Sequence, residues 1–233
     1  MRVVILAEKG SVHGTEDCEA LQAAGHSVVL CSVEVGAWKR LQQLRRGFSI
    51  RGALRRRVAR ARVPAPDVET HVIRDLRQDP CPSLLVEADV ALAPDVGYIQ
   101  KGILALPEHG FINAHPGLLP GFRGNTPMEW SMLCGETLGV TVHQMVPEVD
   151  AGLVFRFAYH GGSEFTKGVT NEESIAELHA TLNKLALEAI CEVLSWKEWS
   201  PGRRQSEIGP AFYWPPIPKQ MLPLCLERWK APG

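Results

Sequence analysis

The opening 33 residues constrain the fold more than any other part of the chain. R-V-V-I-L-A, residues 2–7, is a short and nearly unbroken apolar run, the pattern of a strand buried on both faces. G-S-V-H-G, residues 10–14, follows as a loop. Thr15 is expected to cap a helix whose first turn holds Glu16 and Asp17, where carboxylates favour the positive end of the helix dipole, and Gly25 is placed to end it. H-S-V-V-L-C, residues 26–31, is then a second buried strand. Strand, helix and strand in that order form a crossover, so the sheet they begin is parallel.

The rest of the chain extends this pattern, with strands expected at 68–73, 88–93, 110–114, 140–145 and 153–159. T-P-M-E, residues 126–129, reads as a capping box with proline at the first helical position, giving a helix from Pro127 to near Gly135. T-N-E-E, residues 170–173, reads as a second box. After it Ile175, Leu178, Leu182, Leu185, Ala189 and Val193 recur at helical spacing, which gives a helix with one face to lay on the sheet. The fold class is α/β, a mostly parallel twisted sheet with helices on both faces. Seven of the 17 prolines fall in residues 200–233 beside Trp214 and Trp229, so the chain divides into a domain at 1–199 and a short irregular carboxyl-terminal appendage at 200–233.

Composition excludes disorder, fibre and a stapled mini-protein. With 233 residues, 45% hydrophobic and 22% charged, the chain can bury roughly 70% of its unfolded surface. Its six cysteines (Cys18, Cys31, Cys81, Cys134, Cys191 and Cys225) contain no C-x-x-C pair, so neither a zinc site nor a disulfide framework is indicated. No apolar run approaches the ~18 residues that span a membrane, and Met1 leads directly into V-V-I-L without a secretory leader, so the protein is expected in the cytoplasm with neither membrane nor DNA as partner. The formal charge of −1 hides an asymmetry. Ten of the 25 basic residues and no acid lie in the 24-residue stretch that opens at Lys39 and closes at Arg62, leaving 15 basic against 26 acidic residues elsewhere. Two readings stay open there: a solvated insertion anchored by Leu41, Leu44, Ile50, Leu54 and Val58, or an electrostatic footprint for an acidic or phosphate-bearing partner.

The chemistry gathers around I-N-A-H-P-G-L-L-P-G-F-R-G-N-T-P, residues 112–127. Asn113 and His115 lie two apart at the end of a strand, so their side chains share a face. Pro116 stops the ladder, and the glycines and prolines that follow make a stiff loop at the carboxyl end of the sheet, where open α/β sheets place ligands. V-D-A-G, residues 149–152, adds the carboxylate of Asp150 in a turn after the 140–145 strand. Taken singly, Asn-x-His reads as a satisfied polar pair and a turn Asp as turn chemistry. Amide, imidazole and carboxylate converging on one crevice suit acyl-type transfer. The loop after the first strand, with Ser11 and His13, is a further candidate contact for phosphate or substrate, although it is neither a P-loop nor a G-x-G-x-x-G.

N-A-H-P-G-L-L-P-G-F-R-G-N-T-P, then Trp130, then G-E-T-L-G-V-T-V-H-Q-M and V-D-A-G, together resemble the catalytic core of the 10-formyltetrahydrofolate-dependent formyltransferases, the family of glycinamide ribonucleotide and methionyl-tRNA formyltransferases. The likeness covers residues 88–159 and, more loosely, 1–194; in size the chain is nearest to the small-molecule amine and sugar N-formyltransferases. It implies the Rossmann-like formyltransferase fold, 10-formyltetrahydrofolate as co-substrate, no metal, and Asn113, His115 and Asp150 as a catalytic trio. It also implies that Val96, Gly97, Tyr98, Ile99 and Gln100, with Pro147 and Val149, hold the pterin end of the folate largely through backbone groups. An amine attacking the formyl carbon creates a tetrahedral oxyanion, for which Asn113 is a fixed neutral donor. His115 can donate to that oxygen or shuttle the amine proton, and Asp150 can orient His115 and accept the proton lost from the ammonium intermediate. Arg123 is a candidate substrate contact whose more ordinary role is to fix the loop by bonding carbonyls.

Departures from the family bear on the acceptor. Gly117 stands where a serine is common after His-Pro. The loop at residues 8–14 matches neither the phosphate-binding loop of the glycinamide ribonucleotide enzymes nor the opening of the tRNA enzymes, and the chain has no equivalent of the latter's carboxyl-terminal domain, which disfavours tRNA. E-I-G-P-A-F-Y-W, residues 207–214, resembles the formyltransferases of biosynthetic pathways that act on nucleotide-linked amino sugars or on amino acids. In it Phe212, Tyr213 or Trp214 either stack on a base or pack the tail. The expected reaction is therefore N-formylation of a small primary amine, first a nucleotide-linked amino sugar, second an amino acid or carrier-bound aminoacyl group. Two alternatives stand beside it, a hydrolase that passes the formyl group to water and a catalytically silent binding module. A homodimer is the candidate assembly.

Overall fold

The structure, a computed structural model, describes residues 1–34, 64–160, 172–196, 199 and 201–230. The basic stretch from Lys39 to Arg62 and the opening of the T-N-E-E box lie outside them. The chain forms two compact units, Met1–Ile112 and Asn113–Gly233.

The first unit runs β1 (Arg2–Glu8), α1 (Val12–Ala23), β2 (Ser27–Val33), β3 (Glu69–Ile73), α2 (Cys81–Val86), β4 (Val90–Leu92) and α3 (Lys101–Leu104), then enters β5 (Phe111–His115), which ends in the second unit. β1 pairs in parallel with β2 and β4, β2 with β3, and β4 with β5. Val3, Val4, Ile5 and Leu6 on β1 are all 0% exposed. Successive strand residues face opposite ways, so this strand is covered on both sides, as its unbroken apolar run requires. Each such side chain contributes about 1.5–3 kcal/mol relative to exposure.

Helix α1 starts a turn earlier than its sequence implies. Ser11, not Thr15, is the N-cap; its Oγ accepts the Gly14 amide at 3.0 Å, while the Thr15 hydroxyl donates to the Ser11 carbonyl. The earlier start removes Asp17 from the exposed first turn and turns it inward with Gly14, Cys18 and Leu21. Burial pushes the Asp17 carboxyl up to about 7, with the charges of Glu16 and Asp95 adding to the rise.

The second unit continues with β6 (Arg123–Gly124), α4 (Pro127–Cys134), β7 (Gly139–Gln144), β8 (Val154–Tyr159), α5 (Glu172–Leu194), β9 (Tyr213–Trp214) and α6 (Leu222–Lys230). β7 lies beside β5 and pairs antiparallel with β8, so the seven strands follow the order β3-β2-β1-β4-β5-β7-β8. α5 packs on β7 and β8 with Ile175, Leu178, Leu182, Ala189 and Val193 buried as their spacing anticipates; Leu185 is half-buried. α4 begins at Pro127 and stops before Gly135 as expected, yet T-P-M-E is not a capping box. Thr126 has φ 48° and its hydroxyl accepts the Ile217 amide at 2.9 Å, while Glu129 is buried and accepts from His179 at 2.9 Å. Both side chains are drawn to partners distant in sequence. Within the tail lie 3-10 turns at Gln205–Glu207 and Lys219–Met221, β9 and α6; β9 pairs in parallel with β6, and α6 packs on α4. Among the described residues no helix is long and apolar enough to cross a membrane.

Asp17 gives the first unit a pH dependence with a defined sign. An unfolded Asp titrates near 3.9, so between about pH 4 and 7 the folded chain retains a proton that the unfolded chain has released. Stability attributable to this group is present at acid pH and is lost as pH rises through about 7. The Asp17→Asn variant is expected to melt above the wild type by a margin that grows from pH 5 to pH 8; a margin independent of pH would contradict the burial argument.

Candidate active site

The loop from β5 to α4 is held at its start by one buried hydroxyl. Thr141 on β7, 0% exposed, accepts the Leu119 amide at 3.0 Å and donates to the Gly117 carbonyl at 2.7 Å. The Leu119–Pro120 bond is cis. Between these anchors the chain is tightly packed at Gly117. A Cβ there would lie 2.7 Å from the Pro127 Cβ and 3.2 Å from the Phe122 Cβ and carbonyl oxygen. The family's serine does not fit this loop, which gives the departure at position 117 a physical cause.

The carbonyl so enclosed, that of Phe122, orients His115. His115 is 4% exposed, and its Nε2 lies 2.6 Å from that oxygen. A carbonyl only accepts, so Nε2 carries the hydrogen and Nδ1 of the neutral ring presents a lone pair. That Nδ1 faces Asp150 Oδ1 at 3.7 Å, ion-pair range but beyond a hydrogen bond. The orienting hydrogen bond expected of Asp150 is therefore made by Phe122. Asp150 sits at φ 53° in the turn before Gly152, and its other oxygen, Oδ2, accepts the Gly124 amide at 2.8 Å. Gly124 has φ 96°, and a Cβ on it would meet the Tyr213 ring at 3.1 Å, so this donor position admits no side chain.

A third group stands in the same place. His143 on β7 is 2% exposed; its Nδ1 donates to the Gln144 carbonyl at 2.8 Å, which leaves Nε2 with a lone pair, 3.9 Å from Asp150 Oδ1 and without a hydrogen bond. The two imidazoles meet edge to face, with centroids 6.3 Å apart. His115 Nδ1, His143 Nε2 and Asp150 Oδ1 are three acceptors around one spot. Burial holds the His115 pKa below its ordinary value against the opposing pull of Asp150 and the Phe122 carbonyl. Burial, then the neighbouring His115, take His143 down to about 4. Both rings are neutral at pH 7.

The structure brings His115 and Asp150 together and places Asn113, half-buried, two residues from His115 on the same face of β5. Pro147 and Val149 precede Asp150 in its turn, with Val149 exposed. The candidate folate residues Val96, Gly97, Tyr98, Ile99 and Gln100 form the segment between β4 and α3 in the first unit; Tyr98 is 72% exposed and Ile99 buried. Ser11 is buried with its hydroxyl engaged as the α1 cap, and exposed His13 faces Glu16 at 3.7 Å, so neither side chain stands free as a substrate group. Arg123 fixes the loop rather than reaching outward, through Gln205 Oε1 at 2.9 and 2.6 Å. Trp214 packs, stacked between Phe122 and Trp130, while Phe212 and Tyr213 are exposed. Thr141, His143 and Gln205 escaped the sequence reading; only the placement of His143 and Thr141 in the G-V-T-V-H-Q-M strand, facing the motif strand, was available to find them. Among the described residues no group of three or more His, Cys, Asp or Glu side chains is arranged to hold a metal ion.

Comparison with known proteins shows the family and the fold. The chain matches the formyl transferase family over residues 75–194, just over half of its 233 residues, and belongs to that family. The methionyl-tRNA formyltransferase of Listeria monocytogenes serotype 4a is 33% identical over 113 residues, which are 48% of this chain and 34% of that protein. The chain thus spans about a third of the length of that relative. Among solved structures, a sugar N-formyltransferase from Shewanella superposes with a TM-score of 0.58 at 14% identity, over 98% of this chain and 87% of that one. The formyltransferase PseJ from Anoxybacillus kamchatkensis, in complex with UDP-4,6-dideoxy-4-formamido-L-AltNAc and tetrahydrofolate, superposes with a TM-score of 0.53 at 16% identity, over 92% and 85%. The shared architecture is the Rossmann-like fold of these enzymes.

Restoring the common serine tests the packing argument. Gly117→Ser is expected to cost about 1–3 kcal/mol by overpacking, and so to lower the Tm by about 3–10 °C. A variant that melts with the wild type would show that the loop yields freely at Pro127.

Proposed function

We propose that the protein is an N-formyltransferase that moves the formyl group of 10-formyltetrahydrofolate to a primary amine of a small metabolite. The observation that carries this reading is the cluster of three acceptors, His115 Nδ1, His143 Nε2 and Asp150 Oδ1, in which His143 Nε2 is buried without a hydrogen-bond donor among the described residues. Such a cluster is suited to the N–H groups of an amine and to the proton the amine must release. In the proposed reaction the amine nitrogen bonds to the formyl carbon while Asn113 donates to the oxyanion. The proton leaves the nitrogen toward the Asp150 and His115 pair, and the bond from the formyl carbon to the folate nitrogen breaks with that nitrogen taking up a proton. Residues 96–100 of the first unit and, separately, Pro147 and Val149 of the second are proposed folate contacts, through backbone groups.

A nucleotide-linked amino sugar is the first proposed acceptor, an amino acid or carrier-bound aminoacyl group the second. Support comes from the UDP-sugar held by the Anoxybacillus enzyme and from the tail. The exposed Tyr213 ring lies against Gly124, whose amide binds Asp150, so an aromatic surface stands beside the proposed site. In this reading tRNA is the less favoured acceptor, and the methionyl-tRNA formyltransferase match covers 48% of this chain.

The test measures tetrahydrofolate release from 10-formyltetrahydrofolate with and without a panel of nucleotide-linked amino sugars and amino acids. Release is expected only with an amine, and Asn113→Ala is expected to lower kcat by about a hundred- to thousandfold. Amine-independent release would replace transfer with hydrolysis; no release under either condition would leave a binding module.

A further inference from the structure

The tail supplies a polar side chain that the proposed chemistry has not used. Gln205 is 5% exposed, and its carboxamide makes four hydrogen bonds. Oε1 accepts from Arg123 Nε at 2.9 Å and Nη2 at 2.6 Å, and Nε2 donates to the carbonyls of Asp150 at 2.7 Å and Gly152 at 2.9 Å. A primary amide offers two hydrogens and two lone-pair directions, so its capacity is full. All four bonds go to the loop that carries Arg123 and the turn that carries Asp150. The Gly124 amide, bonded to Asp150 Oδ2 at 2.8 Å, is another tie between those segments.

We propose that Gln205 is a positioning residue for formyl transfer: it fixes the main chain on both sides of Ala151, so that the Asp150 carboxylate faces His115 and His143. The role rests on the reading of this cluster as the reacting centre. Asp150 needs such a hold, because a left-handed backbone costs a residue with a Cβ about 1–2 kcal/mol. Without a tether on its carbonyl, the turn is free to relax to φ below zero and carry the carboxylate with it. The amide is also the neutral partner that Arg123 requires. Among the described residues no carboxylate forms an ion pair with Arg123 within 4.0 Å, so Gln205 fixes a guanidinium beside the cluster without adding a second carboxylate to it. Glutamate would keep the contact to Arg123 and lose both donors, setting its oxygens against the two carbonyls.

The tail is pinned independently on each side of Gln205. Arg203 exchanges both backbone hydrogen bonds with Val154, at 2.8 and 2.9 Å, and β9 pairs with β6. Removing the amide therefore leaves the tail docked, which separates positioning from general support. In full-length Gln205→Leu and Gln205→Glu, kcat is expected to fall about 10- to 100-fold, with the KM for 10-formyltetrahydrofolate within threefold of wild type. Hydrogen exchange at the Gly124 amide is expected to quicken at least tenfold, while the amides of Arg203 and Val154 exchange as in the wild type. Wild-type kcat in Gln205→Leu, or full recovery in Gln205→Glu, would overturn the proposal. So would unchanged protection of the Gly124 amide, and that measurement holds even for a wild type that transfers no formyl group, the result that would defeat the proposed function instead.

Discussion

The two hydrogen bonds of the Thr141 hydroxyl, one from the Leu119 amide and one to the Gly117 carbonyl, fix the loop from which the site is built. With Gly117 and Leu119 tied to β7, the chain must fold back on itself, and the Phe122 carbonyl is delivered against His115 Nε2 at 2.6 Å. That contact selects the tautomer of His115 and aims its basic nitrogen at Asp150. A buried hydroxyl with both capacities engaged is a stiff anchor, since breaking either bond strands a polar group out of water at a cost of about 1–3 kcal/mol. The chemistry of the site is in this sense decided one strand away from it.

Burial does the rest. His115 and His143 are dry enough that the neutral ring is favoured, although a carboxylate lies within 4.0 Å of each. Ordinarily a carboxylate that close would raise an imidazole toward its charged form. Desolvation outweighs it here, and each ring keeps its one proton on the nitrogen that bonds a carbonyl, which leaves His115 Nδ1 and His143 Nε2 as unprotonated basic atoms. Asp17 shows the same force acting on an acid, where loss of solvent favours the protonated carboxyl.

The parts legible in the sequence were those governed by short-range pattern. Strand periodicity located β1, β2, β5, β7 and β8 to within a few residues, because an apolar run or a motif ending in proline leaves few alternatives. The pairing of Asn113 with His115 followed from the two-residue repeat alone, and the meeting of His115 with Asp150 from the motif resemblance. What stayed hidden depends on partners far along the chain. Thr126 carries every local mark of a helix cap, yet its hydroxyl binds an amide 91 residues away. Ser11 outcompetes Thr15 because the helix can begin a turn earlier, a choice that adjacent residues barely bias. Gln205 sits 82 residues from Arg123 and 55 from Asp150, and nothing in its own neighbourhood, a proline- and arginine-containing tail, marks it as buried.

The stacking of the tail's Trp214 on Trp130 has a consequence of a different kind. Trp130 belongs to α4 and Trp214 to β9, and their rings lie 4.6 Å apart at 29°. Two indoles that close couple their strong transitions, giving a far-ultraviolet dichroic couplet that neither has alone. The junction between tail and α4 is thereby written into the optical spectrum of the native protein, where its loosening can be followed without any label.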